Sequence, residues 1–144
     1  MQVADIMTRA SVTESPADSL RDAANRMWKQ QTGSLLVMDG DRLIGIVTER
    51  DLMKAVARGV DLDTTPVSAV MTRQLLTVTP DASVQEAARH MADRWIRHLP
   101  VVVDGDVVGM VSQRDLCGAF ASAGGAPDLV RDRRLSRIEQ PESP

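Results

Sequence analysis

A mixed α/β (α+β) fold, made of two tandem copies of one strand, helix, strand, strand, helix unit, is what this 144-residue sequence predicts. Three observations carry the prediction. The chain matches itself at an offset of 64 residues, each copy holds one helical apolar stripe, and each stripe is followed by two apolar runs around Asp-Gly.

The offset lays Met7-Thr8-Arg9 on Met71-Thr72-Arg73, Pro16 on Pro80, and Arg50-Asp51-Leu52 on Arg114-Asp115-Leu116. About a third of positions agree without a gap between residues 5–52 and 69–116, far above chance for unrelated segments. The expected division is 1–59 for the first copy, 60–68 for a polar connector, 69–121 for the second copy and 122–144 for a tail. Gly124-Gly125-Ala126-Pro127 breaks structure, and the charged, apolar-poor tail after it is expected to be mobile.

Within each copy a short stretch (Ser11 to Thr13; Leu75 to Val78) precedes a helix. Its buried face is Leu20, Ala23, Ala24, Met27 in one copy and Val84, Ala87, Ala88, Met91 in the other, spaced i, i+3, i+4, i+7. Trp28 extends the first stripe and is expected in the core. Ser83 with Glu86 predicts a capping box, and Ser19 with Asp22 a weaker one. Leu35 to Met38 and Leu43 to Val47 flank Asp39-Gly40; Leu99 to Val103 and Val107 to Val111 flank Asp104-Gly105. That pattern predicts a hairpin in each copy, with a tight two-residue loop in the second and a looser one in the first, because Asp-Gly shifts by one residue between them. A second helix follows each hairpin, from about Glu49 to Arg58 before Gly59, and from about Gln113 to Ala121.

Composition excludes several functions. A net charge of −3 and three aromatic residues (Trp28, Trp95, Phe120) supply neither the basic stripe nor the stacking platforms of a nucleic-acid binder. Apolar runs such as Val101 to Val103 are far shorter than the roughly 20 residues of a membrane span, and Met1 to Ile6 lacks a signal-peptide pattern, so the expected place is the cytoplasm. Cys117 stands alone and reads as a small buried apolar residue. The eight methionines are spread through the apolar periods, as core residues are. The sequence has no HExxH, paired cysteine, nucleophile elbow or P-loop, so the expectation is a chain that is not an enzyme and holds no metal.

The chemistry sits where each hairpin meets its second helix. Thr48 and Ser112 precede a helix whose free N–H groups favour an anion such as phosphate. Asp51 and Asp115, three residues on, offer carboxylates able to accept from ribose hydroxyls. Gly45 and Gly109 permit close backbone approach. The same Thr-x-x-Asp and Ser-x-x-Asp spacings are also capping boxes, and residue types alone leave the two readings open.

Gly45-Ile46-Val47-Thr48-Glu49-Arg50-Asp51, its partner Gly109-Met110-Val111-Ser112-Gln113-Arg114-Asp115, and His98-Leu99-Pro100-Val101 resemble the cystathionine-beta-synthase (CBS) domain family over residues 1 to about 121. The likeness is to stand-alone, two-copy members. It implies a Bateman module, two copies packed about a pseudo-two-fold axis with two clefts that often hold adenosine nucleotides. The size of one copy, about 48 residues, independently requires the copies to pack on each other.

Carried over by position, the resemblance implies one cleft with Thr48, Asp51, Thr79, Val84, Ile96 and Arg97, and another with Ser112, Asp115, Ser15, Leu20, Thr32 and Gly33. Arg97 suits a phosphate, whereas its counterpart Gly33 offers no charge, so the first cleft is expected to be tighter. The implied function is a regulatory sensor of AMP, ADP or ATP with no required cofactor, acting as a homodimer on an unknown regulated protein. The alternative is a ligand-free dimerisation or interaction module.

Overall fold

The computed structural model describes residues 1–9 and 12–122. Ser11 and the tail from residue 123 lie outside the described residues, and the expectations placed on them are not addressed by it. In the first copy, strand β1 (Thr13–Glu14) leads to helix α1 (Leu20–Gln30), the hairpin β2 (Ser34–Asp39) and β3 (Arg42–Thr48), and helix α2 (Glu49–Ala57). The second copy gives helix α3 (Val84–Arg94), the hairpin β4 (His98–Val103) and β5 (Asp106–Ser112), and helix α4 (Gln113–Ser122). β1 runs parallel to β2 and β2 antiparallel to β3; β4 and β5 form a second antiparallel sheet. The leading strand of the second copy is reduced to one parallel bridge, Val78 to Val101.

Both hairpins turn in two residues, Gly40-Asp41 and Asp104-Gly105, so the looser first loop is corrected. The shifted Asp-Gly changes turn type and leaves loop length alone. Asp104 and Gly105 both have positive φ (50° and 85°), the type I′ pattern, while the first loop has it only at Gly40 (60°), the type II′ pattern. Each hairpin also carries a bulge at the same place, between Val37 and Met38 and between Val101 and Val102.

Helix starts follow the serines. Ser19 Oγ accepts from the Asp22 N–H (3.1 Å) and Ser83 Oγ from the Glu86 N–H (3.0 Å). Only this half of each expected box forms at α1 and α3. The Glu86 carboxylate instead approaches His90 Nε2 one turn on, at 3.7 Å. The apolar stripes bury Leu20, Ala23 and Met27 on α1 and Val84, Ala87, Ala88 and Met91 on α3. Trp28 is the exception, 77% exposed, which corrects its core placement. Stepping about 100° per residue puts Trp28 about 80° from Leu20, beyond Ala24 on the rim of the stripe.

Two cores result, and each borrows from the other copy. Val3, in a 3-10 turn (Val3–Asp5), is buried in the second core, while Val67 and Met71, in and after a 3-10 turn (Val67–Ala69), are buried in the first. The exchange is reciprocal. Thr8 bridges Met110 as Thr72 bridges Ile46, and the Val3 N–H donates to Ala82 as the Val67 N–H donates to Asp18. These matched pairs are what a pseudo-two-fold axis between the copies produces. Gly45 and Gly109 make the crossing possible, because a Cβ would lie 2.6 Å from Met71 Sδ at the first and 2.7 Å from the Thr8 carbonyl oxygen at the second. The segment 60–68 is held too: Arg21 pairs with Asp63, and the Leu20 N–H donates to the Thr65 carbonyl.

Candidate functional site

The strand-to-helix junctions fold as full capping boxes. At α2 the Thr48 N–H donates to Asp51 Oδ2 (2.9 Å), and Thr48 Oγ1 accepts from the Asp51 N–H (3.3 Å). At α4 the Ser112 N–H donates to Asp115 Oδ2 (2.8 Å), and Ser112 Oγ accepts from the Asp115 N–H (3.1 Å). Capping occupies one oxygen of each carboxylate. Oδ1 of Asp51 and of Asp115 accepts no hydrogen bond among the described residues, so a cap and a further acceptor coexist in one side chain.

Each junction opens into a cavity walled by both copies. The first, of about 320 Å³, brings together Thr48 and Asp51 with Ile96 and Arg97, and adds Arg50, Arg94, Trp95, Leu75 and Leu76. The second, of about 670 Å³, brings together Ser112 and Asp115 with Thr32 and Gly33, and adds Gln30, Gln31, Arg114 and Cys117. Both fall in the usual small-molecule range of about 300–1,000 Å³. The walls do not include Thr79 or Ser15, exposed in the turns before α3 and α1, nor Val84 and Leu20, which are buried in the two cores. Cys117 is half-buried on a cavity wall, not in a core.

The cavities meet at Gly33, Glu49, Arg97 and His98, which line both. Arg97 therefore does not belong to one cleft alone. Charge still separates the two: three arginines against Glu49 and Asp51 in the first, but Arg97 and Arg114 against Glu49 and Asp115 in the second. Burial, and then the neighbouring Arg97 charge, hold the His98 imidazole below the usual histidine range.

Trp95 is a wall residue that the motif does not mark. It caps α3 in the left-handed conformation (φ 58°), as Gln31 caps α1 (φ 52°), and is 64% exposed. A signal for it existed. The offset of 64 lays Arg94-Trp95-Ile96-Arg97 on Gln30-Gln31-Thr32-Gly33, four consecutive positions at which the copies share no residue.

Comparison with known proteins agrees with this architecture. The chain is 36% identical over 115 residues to the CBS domain-containing protein YhcV of Bacillus subtilis, covering 79% of this chain and 81% of that one. A putative signal-transduction protein with CBS domains from Burkholderia ambifaria superposes with a TM-score of 0.82 at 34% identity, covering 85% of this chain and 95% of the other. The CBS domain protein PAE2072 from Pyrobaculum aerophilum, complexed with AMP, gives a TM-score of 0.76 at 30% identity, with 81% and 91% covered. A family model for the CBS domain matches twice, at residues 3–58 and 67–122, and with the two reciprocal halves just described the chain belongs to the CBS domain family as a tandem pair.

Proposed function

We propose that the chain is a non-catalytic regulatory sensor that binds adenosine nucleotides of the AMP, ADP or ATP type in its inter-repeat clefts, most tightly in the Asp51 cleft. The observation that carries this reading is the gathering of Thr48, Asp51 and Arg97, from opposite copies, around one cavity of about 320 Å³. Arg97 supplies a fork for phosphate, the α2 N-terminus adds N–H donors, Asp51 Oδ1 accepts from ribose, and Trp95 with Ile96 offers the base an apolar wall. Crystallisation of PAE2072 with AMP supports the ligand class. Calorimetry with AMP, ADP, ATP, adenosine and S-adenosylmethionine tests it. Unequal sites that prefer phosphorylated ligands are expected, and no binding of any of the five contradicts it. Deoxyadenosine monophosphate, lacking the 2′-hydroxyl, is expected to bind more weakly than AMP; equal binding sinks the ribose role.

A homodimer paired through α2 and α4 is the second part of the proposal. Met53 and Val56 on α2 are 66% and 61% exposed, apolar surface that a second copy would cover. Light scattering at tens of micromolar is expected to give a dimer. A dimer that ignores every nucleotide favours the ligand-free interaction module instead.

A further inference from the structure

On the outer edge of the first copy, outside the walls of both clefts, a carboxylate is buried where its counterpart is a valine. Glu14 on β1 is 3% exposed, and the matching Val78 is buried in the second core. Among the described residues, neither Glu14 oxygen receives a hydrogen bond from a protein donor. Arg26 Nε comes to 3.1 Å of Oε2, an ion pair by distance without hydrogen-bond alignment, while Arg26 Nη1 donates to the Thr13 carbonyl at 2.8 Å. Asp18, which accepts from the Ser15 N–H at 3.1 Å, lines the same cavity as Glu14. The other charged groups facing the site are Asp22 and Lys29 on α1, while β2 brings Val37 opposite. A cavity of about 420 Å³ opens over the cluster.

We propose that Glu14, Asp18 and Arg26 form a proton-operated latch at the edge of the first repeat, closed when Glu14 and Asp18 share one proton and open when that proton has left to solvent. Closed, the Glu14 O–H donates to the Asp18 carboxylate, and the three groups together carry no net charge. Open, two carboxylates face one guanidinium beside Asp22, and a buried Glu14 without a donor must draw water from the cavity or pull Arg26 off Thr13. The strand that would give way is two residues long, tied to α1 by that Arg26 bond. Burial first, and then the bond to Asp18, push the Glu14 carboxyl up to about 7, while the same bond holds Asp18 low. A raised carboxyl stabilises the closed form fully below its ordinary value near 4.5, and that contribution is lost as pH rises through about 7. Val12 and Gln30 line both this cavity and the Asp115 cleft, so opening reshapes a wall of that cleft. This last consequence rests on the nucleotide reading above.

Amide hydrogen exchange on the full chain, corrected for the intrinsic pH effect, tests the latch without any ligand. Protection over Glu14 to Asp18 is expected to fall about tenfold between pH 6 and 8 while Val78 to Ala82 stay constant. Glu14→Gln, which can donate to Asp18 but cannot ionise, and Glu14→Val, which copies the second repeat, are both expected to lose the pH dependence. A wild type with no pH dependence, or one that survives in both variants, overturns the latch. In a second arm, AMP is titrated at both pH values. Weakening at pH 8 that Glu14→Gln removes supports transmission to the Asp115 cleft, and weakening that persists in the variant overturns it. Binding of AMP nowhere overturns the nucleotide reading and leaves the latch to be decided by exchange alone.

Discussion

The Asp51 cleft and the Asp115 cleft are made by the same backbone and differ in what is attached to it. Both begin at a full capping box, and both are closed by the left-handed residue that ends the opposite copy's first helix. Around that residue the walls part, with Arg94, Trp95 and Ile96 on one side and Gln30, Gln31 and Thr32 on the other, before they meet at Arg97 and Gly33. The two copies share the parts that fix geometry and differ in the parts that line the cavities. The smaller cavity holds three arginines against two carboxylates, and the larger balances two against two.

The comparison can be broken in the two equivalent cores behind the clefts. Leu20 and Val84 are equivalent and buried, so Leu20→Ala should cost about 2–5 kcal/mol in denaturant unfolding, and Val84→Ala less because it deletes less. Neither substitution should change which cleft is preferred once the protein is folded. Arg97→Ala asks whether one guanidinium serves both sides. A lost charge-assisted hydrogen bond is worth about 1.5–3 kcal/mol, so AMP affinity should fall roughly 10- to 100-fold by calorimetry while adenosine binding changes little. An equal loss for adenosine would mean that Arg97 supports the wall and does not meet the phosphate.

Trp95→Gln converts one wall into the other at a single position. Stacking of a base on an aromatic ring is worth about 1–3 kcal/mol, so this variant should weaken the Asp51 cleft toward its counterpart for adenosine and AMP alike. The smallest effect belongs to the shared caps. Asp51→Asn and Asp115→Asn should each move stability by about 0.5–2 kcal/mol at most, since Asn can still accept near a helix start. Ligand affinity should fall more than about tenfold in the matching cleft, because Asn cannot cap with one carboxylate oxygen and accept with another. A change in stability with no change in affinity would leave both aspartates as caps alone.

Where the sequence could be read, a local pattern carried the information. Both hairpins, the helices α1 to α4 and the two Asp-bearing junctions follow from periodicity and turn chemistry applied twice. What escaped depends on neighbours distant in sequence. Trp28 meets the spacing of a buried stripe, but its angular position on the rim decides its exposure, and no spacing rule says how wide a partner the stripe will find. Thr79 and Ser15, placed in the clefts by family position, lie outside the cavity walls, and the overlap of the clefts at Arg97 follows from how the two copies dock. Glu14 looks like one more polar residue at a strand edge until burial gives it a different chemistry.

The crossed arms affect how the chain is made as well as how it is held. Residues Val3 to Thr8 find their partners at Pro80, Ala82 and Met110, so this segment is placed only after much of the second copy has been made. Contacts of such long sequence separation raise contact order and slow folding relative to a chain whose halves close separately. The first copy, in turn, cannot bury its core until Val67 and Met71 have been synthesised. A chain truncated after residue 59 would lack that cover and keep an arm with no home, a combination that favours exchange with another copy over folding alone.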